Sequence, residues 1–262
     1  MAAEGWKRVT PPSLPIGNPL GVWARTAVIL AGGAIATLFF SVLAIAVSFF
    51  SRSGNSVHRV GRAWARCLLA VSGVRVDVTG IERIDADRSY IFMSNHQSNF
   101  DIPVLLGHLP VQFRWLAKAE LFRIPVFGRA MRGAGYISID RSDRAAAFGS
   151  LQQAAEKIRQ GVSILIFPEG TRSLDGSLKA FKKGGFVMAI GAGVPIVPVA
   201  VRGTYDIMPK HAMLIRPRQV TVDIGEPIAT QGFALDSKAA LMDGVRNAIL
   251  LGLAAPEERR RC

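Results

Sequence analysis

The chain has 262 residues, half of them hydrophobic, and its 32 Lys and Arg against 19 Asp and Glu give a formal charge of +13. That apolar content excludes a disordered chain, near-average Gly (26) and Pro (14) exclude collagen-like or low-complexity sequence, and two cysteines cannot frame a disulfide scaffold or a multi-cysteine zinc site. A mean hydropathy of +0.28 beside a pI near 10.7 is unlike a nucleic-acid binder, which is basic but hydrophilic, and points to an anionic membrane or anionic, lipid-like substrates.

The Pro-rich start (Pro11, Pro12, Pro15, Pro19) reads as poorly ordered. No charged residue occurs from Thr26 to Phe50, and an apolar helix is expected over 22–50. At ~1.5 Å per residue it more than covers a ~30 Å hydrocarbon core. Ala34-Ile35-Ala36 and Ala44-Ile45-Ala46 mimic signal-cleavage sites. The apolar run continues past both, beyond the ~7–15 residues of a signal h-region. Gly32-Gly33 leaves a re-entrant hairpin as an alternative to a full span. Arg52, Arg59, Arg62 and Arg66 after the span outnumber Lys7, Arg8 and Arg25 before it, which favours a body on the cytoplasmic side of a cytoplasmic membrane. Residues 56–72 then read as a basic amphipathic helix, with Val57, Val60, Trp64, Cys67, Leu68 and Val71 beside the Arg59, Arg62, Arg66 stripe. Such a helix suits the lipid headgroup boundary or, alternatively, the surface of the domain that follows.

Residues 1–73 thus form a membrane segment, and 74–262 an α/β domain. Strands are expected at 74–78, 90–93, 114–117, 136–139, 162–167, 194–201 and 219–225. Helices are expected over 102–109, from Pro125 to about Gly133 or Gly135, and over 144–160, 181–192 and 236–252. Strands alternating with helices argue for one domain with a largely parallel, helix-flanked sheet. The tail Arg259-Arg260-Arg261-Cys262 is basic and is no prenylation motif.

Two loops carry chemistry. Asn95-His96-Gln97-Ser98-Asn99-Phe100-Asp101 follows a buried strand, where open α/β sheets place their sites. With a turn between them, Asp101 can reach the His96 imidazole, fix its tautomer and leave the other nitrogen to accept a proton. The competing reading is a capping Asp beside a structural His. No G-x-S-x-G elbow and no reactive-cysteine candidate accompanies the pair, so the substrate must bring its own hydroxyl. The second loop, Phe167-Pro168-Glu169-Gly170-Thr171-Arg172-Ser173, also follows a strand. Arg172 offers a planar fork for phosphate, and Lys179, Lys182 and Lys183 extend the positive field. Glu169 can pair with Arg172 or accept a hydrogen bond from a substrate hydroxyl. A solvated Pro-Glu-Gly turn is the bland alternative.

Together these blocks resemble the glycerolipid acyltransferase family that includes the 1-acylglycerol-3-phosphate (lysophosphatidate) acyltransferases. The first matches its N-H-x-S-x-x-D pattern and the second its F-P-E-G-T-R-S pattern. Lys118-Ala119-Glu120-Leu121 with Gly128 to Arg141, and then Val194 to Val201, resemble its intermediate and fourth blocks, over roughly residues 74 to 230. The resemblance implies acyl transfer from acyl-CoA or acyl-carrier protein to the free hydroxyl of lysophosphatidate. It implies His96 and Asp101 as the catalytic pair and Glu169, Gly170, Thr171 and Arg172 at the substrate, with Arg141 and Lys118 assisting. No metal or other cofactor is expected, because a thioester is already activated, and no nucleic-acid partner. The alternatives are another acceptor, such as glycerol-3-phosphate or a lyso-aminolipid, and a non-catalytic basic membrane-binding protein, which leaves the His96–Asp101 spacing unexplained.

Overall fold

The computed structural model describes residues 19–140 and 142–254. In chain order these form α1 (Pro19–Ser48), α2 (Asn55–Val71), β1 (Arg75–Thr79), β2 (Ile91–Ser94), α3 (Asp101–His108), β3 (Phe113–Lys118), α4 (Phe127–Gly133), β4 (Ile137–Ile139), α5 (Arg144–Arg159), β5 (Ser163–Ile166), α6 (Gly184–Ala192), β6 (Ile196–Arg202), α7 (Thr204–Ile207), β7 (Gln219–Ile224) and α8 (Lys238–Leu253). Of the Pro-rich start only Pro19 lies within this range, where it opens α1, its fixed φ and missing N–H suiting the first helical turn. The rest of that stretch, Lys7, Arg8 and the Arg259–Cys262 tail fall outside the described residues.

The seven strands form one sheet in the order β1-β7-β6-β2-β5-β3-β4, parallel throughout except where β6 meets β7. Alternation along the central strands divides the core in two. Phe92, Leu165, Val197 and Val199 face a layer with Leu69 of α2 and Leu105 of α3. Ile91, Met93, Ile164, Ile166 and Ile196 face Ala154 and Ile158 of α5, Phe186 of α6 and Val245 and Ile249 of α8. Buried on both faces, β2 and β5 are therefore apolar at nearly every position, as a central parallel strand must be.

The N-terminal helices are part of this body. α1 runs unbroken through Gly32-Gly33, so the hairpin alternative does not hold. Those glycines face α2: a Cβ would sit 3.2 Å from Val71 Cγ1 at Gly32 and 3.5 Å from Leu68 Cδ2 at Gly33. At one end of α1, Thr26 Oγ1 accepts the Ile215 N–H at 3.2 Å; at the other, Ala44 is buried with Val57, Ala130 and Ala134. The helix thus lies along the domain for most of its length, while Trp23, Val28, Leu30, Ile35, Leu38, Phe39 and Val42 remain exposed on it. It is long and apolar enough to cross a membrane.

The lipid-facing expectation for the second helix is corrected. α2 is clasped between α1 and the sheet layer: Trp64 Nε1 donates to Thr37 Oγ1 of α1 at 3.0 Å. Ala65 and Leu69 are core residues, and Arg66 Nε donates to the Gly107 carbonyl at the end of α3 at 3.0 Å. His58, wholly buried against the Phe113 and Tyr136 rings, is pushed down to about 3 by burial and by the nearby Arg114 and Arg62. A helix covered on two sides needs the same apolar stripe as one lying on lipid, which is why pattern alone did not separate them.

Arg114 anchors the start of α2. Its guanidinium is almost fully buried and donates to the Ser53 carbonyl at 2.9 Å and Asn55 Oδ1 at 2.6 Å. Arg114→Met keeps the stem but orphans both acceptors. It should lower stability by roughly 2–3 kcal/mol, read as a drop in thermal midpoint of the detergent-solubilised chain; an unchanged midpoint would show that these bonds do not hold α2.

Candidate active site

The parallel strands deliver the site. β2 ends at Ser94, and the next residue continues its pairing by other means: Asn95 donates Nδ2 to the Val201 carbonyl and accepts the Val201 N–H on Oδ1, both at 2.8 Å. The side-chain amide replaces a strand partner on β6, so the main chain can leave the sheet at His96 without stranding buried groups. Asp101 opens α3. Its Oδ2 receives the Gln97 N–H at 2.7 Å, the Ser98 N–H at 2.9 Å and lies 2.8 Å from His96 Nδ1. The carboxylate is fully buried. Asp101 does not cap α3, whose first turn receives no side-chain bond; the oxygen that closes the turn before the helix also orients the imidazole. With Nδ1–H donated to Asp101, Nε2 is the nitrogen left to take a proton. The ring stacks on Phe167 at 3.9 Å and 8°, and Trp115 lies behind Phe167 at 5.5 Å.

The second loop closes on the first through the main chain of His96. Glu169 Oε1 accepts the His96 N–H at 2.6 Å, and the His96 carbonyl accepts the Ser173 N–H at 2.8 Å. Glu169 Oε2 accepts the Lys179 N–H at 2.9 Å. Glu169 is only 3% exposed and braces two loops, its oxygens turned to main-chain N–H groups and not paired with Arg172. Burial pushes its carboxyl up to about 7, against the two N–H donors, which hold it down. Gly170 takes φ +74, a left-handed conformation that strains a residue with a Cβ, and Lys182 lies over it, its Cε 2.7 Å from where a Cβ would be. Asp175 holds the far side of the loop, accepting from Ser173 Oγ and from the Ser177 N–H and Oγ, bonds that draw its carboxyl down to about 2.

His96, Gly170, Thr171, Arg172 and Lys118 all line one cavity of about 1260 Å³, larger than the ~300–1,000 Å³ of a pocket for a drug-sized ligand. Its walls are mostly apolar and come largely from the first half of the chain: Ile29, Gly33 and Thr37 of α1, Gly61, Trp64 and Leu68 of α2, and Phe127 and Met131 of α4. Lys118 is 59% exposed and holds Glu120 at 2.8 Å. Arg141 lies outside the described residues. Sequence reasoning missed Phe167 as the plate beneath the imidazole, the inward turn of Glu169, and Lys210, which also lines the cavity. Phe167 and Glu169 stood in the second loop, and Lys182, which also lines the cavity, in the lysine run behind it; Lys210 had no signal. Among the described residues no group of three His, Cys, Asp or Glu side chains is placed to hold a metal ion.

A family model described as Acyltransferase matches residues 75–202, which include both loops. The chain is 33% identical to the human 1-acyl-sn-glycerol-3-phosphate acyltransferase alpha over 214 residues, covering 81% of this chain and 76% of that protein. The chain belongs to this acyltransferase family. A 1-acyl-sn-glycerol-3-phosphate acyltransferase of Chlamydomonas reinhardtii is 39% identical over 168 residues, 63% of this chain. There the chain spans about half the relative's length, 50%. The crystal structure of the 1-acyl-sn-glycerophosphate (LPA) acyltransferase PlsC from Thermotoga maritima superposes with a TM-score of 0.77 at 30% identity, covering 89% of this chain and 95% of that one.

Burial of the Glu169 carboxyl has a pH signature. Its folded value lies above the ordinary 4.5 of a glutamate, so the stability it contributes is fully present below about 4.5 and is lost as pH rises through about 7. Raising pH across that window should lower the thermal midpoint of the wild type more than that of Glu169→Gln, which has no proton to lose; parallel curves would contradict the assignment.

Proposed function

We propose that the chain is a 1-acyl-sn-glycerol-3-phosphate acyltransferase, moving an acyl group from acyl-CoA or acyl-carrier protein to lysophosphatidate. The observation that carries this is the oriented His96–Asp101 pair on the wall of a large apolar cavity that also presents Arg172. The sequence has no nucleophile elbow, so the acceptor hydroxyl attacks directly. His96 Nε2 takes the hydroxyl proton as the oxygen adds to the thioester carbonyl. The tetrahedral centre then collapses, the C–S bond breaks, and the proton passes to the departing thiolate. General-base help of this kind contributes ~10²–10⁴ in rate. Much of the remainder comes from holding an anionic lipid and a thioester together in one cavity. No metal or cofactor is called for, because the thioester is already activated. The apolar cavity walls take the acyl chain, and the exposed face of α1 meets the membrane. Because α1 lies along the domain, the body sits against the bilayer surface, on its cytoplasmic side in our reading, and does not hang from a separate span.

The test is conversion of labelled acyl-CoA and lysophosphatidate to phosphatidate by the purified full chain. His96→Ala should abolish it with the fold intact. Asp101→Asn should lose roughly 10⁴-fold, the scale seen when the orienting carboxylate of a serine-protease triad becomes an amide. Near-native turnover in His96→Ala would end the mechanism.

Arg172 is assigned to the acceptor phosphate, whose oxygens match its planar fork. A charged hydrogen bond contributes ~1.5–3 kcal/mol, so Arg172→Ala should lose roughly 10–150-fold in kcat/KM for lysophosphatidate, and Arg172→Lys less. On monoacylglycerol, which lacks the phosphate, wild type and Arg172→Ala should perform alike. An equal penalty on both acceptors would make Arg172 structural.

A further inference from the structure

Four cations line the cavity that holds His96: Lys118, Arg172, Lys182 and Lys210. They come from different segments: Lys118 ends β3, Arg172 and Lys182 lie between β5 and α6, and Lys210 follows α7. The segment after β5 crosses the catalytic loop to meet α7, Gln97 Nε2 donating to the Gly176 carbonyl at 2.6 Å and the Tyr205 hydroxyl to the Leu174 carbonyl at 3.0 Å.

Lys210 is held in place by the catalytic loop itself. Ser98 Oγ donates to the Met208 carbonyl at 2.8 Å, and Ser98 forms an isolated antiparallel bridge with Pro209. The same Ser98 gives its N–H to Asp101 Oδ2. Immediately after the lysine, His211 takes φ +72, an uncommon conformation for a residue with a Cβ, and turns the chain back. Lys210 is half-buried, and no described carboxylate pairs with it. A partly desolvated, unpaired ammonium beside a reacting centre is a site for an anion.

Acyl transfer brings two anionic reagents to one histidine. Two phosphates on one cation would repel each other, so each needs a cation of its own. If the acceptor phosphate occupies Arg172, then, with Lys118 paired to Glu120 and Lys182 exposed, Lys210 is the half-buried, unpaired cation left for the donor. We propose that Lys210 is a subsite for a phosphate of the donor's carrier arm, an inference that rests on the acyl-transfer reading above. Acyl-CoA and acyl-carrier protein share one such phosphate, on the pantetheine arm, and acyl-CoA adds those of its nucleotide.

The experiment measures steady-state transfer to lysophosphatidate by the purified full chain and by Lys210→Ala and Lys210→Arg. The donors are acyl-CoA, acyl-phosphopantetheine and acyl-pantetheine, which has no phosphate. Lys210→Ala should raise KM for acyl-CoA about 5–10-fold, with the effect shrinking as salt rises. KM for acyl-pantetheine and for lysophosphatidate should not move, and Lys210→Arg should restore most of the loss. A matching rise for acyl-phosphopantetheine assigns the shared arm phosphate; a rise for acyl-CoA alone assigns the nucleotide's. An equal penalty on acyl-pantetheine, or a rise in lysophosphatidate KM, overturns the subsite. Wild-type turnover with Lys210→Ala indistinguishable from it on acyl-CoA overturns this inference alone. A wild type that makes no phosphatidate overturns the proposed function and the subsite with it.

Discussion

Both main-chain hydrogen-bonding groups of His96 are engaged by the neighbouring loop, its N–H by Glu169 and its carbonyl by Ser173. The ring is held independently, by Asp101 at Nδ1 and by the Phe167 face. A residue fixed at backbone, ring edge and ring face has almost no freedom left to lose on reaching a transition state, which is what preorganisation requires. The arrangement depends on β2 and β5 being adjacent and parallel, because only then do their C-terminal loops emerge side by side. Everything else in the site is built outward from that junction.

The cavity makes the N-terminal helices part of the catalytic body. α1 and α2 are tied together by the Trp64–Thr37 bond and by close approach at Gly32 and Gly33, and the same segment of each helix lines the apolar wall. α1 therefore has two apolar faces with different duties, one against protein and cavity, one exposed. That explains a run with no charged residue over so long a stretch: an ordinary surface helix would need only one such face.

Much of this was legible from the amino-acid sequence, and the parts that were not share a cause. The parallel sheet followed from short apolar runs such as Val162 to Phe167, and the His96–Asp101 pair from its position after one of them. Strand ends came within a residue or two. What pattern could not supply was direction. Glu169 stands between a proline and a glycine in a basic loop, and nothing local tells whether its carboxylate turns toward ligand or toward the His96 N–H. The stripe on α2 likewise does not say whether lipid or a second helix covers it. Arg114 reads only as the start of a strand, because its partners, Ser53 and Asn55, lie some sixty residues away. Each is a contact set by tertiary packing, and each required coordinates.

The remaining constraint is spacing. β6, β2, β5 and β3 run parallel in that order, so their C-terminal ends form a row, and the segments that follow them contribute to the cavity: His96 after β2, Arg172 after β5, Lys118 at the end of β3 and Lys210 beyond α7. The antiparallel β7 closes the row on one side, since its C-terminal end points the other way. A base that meets cations from several segments is thus a consequence of sheet order more than of any single loop, because a single mononucleotide-type loop would draw them all from one place.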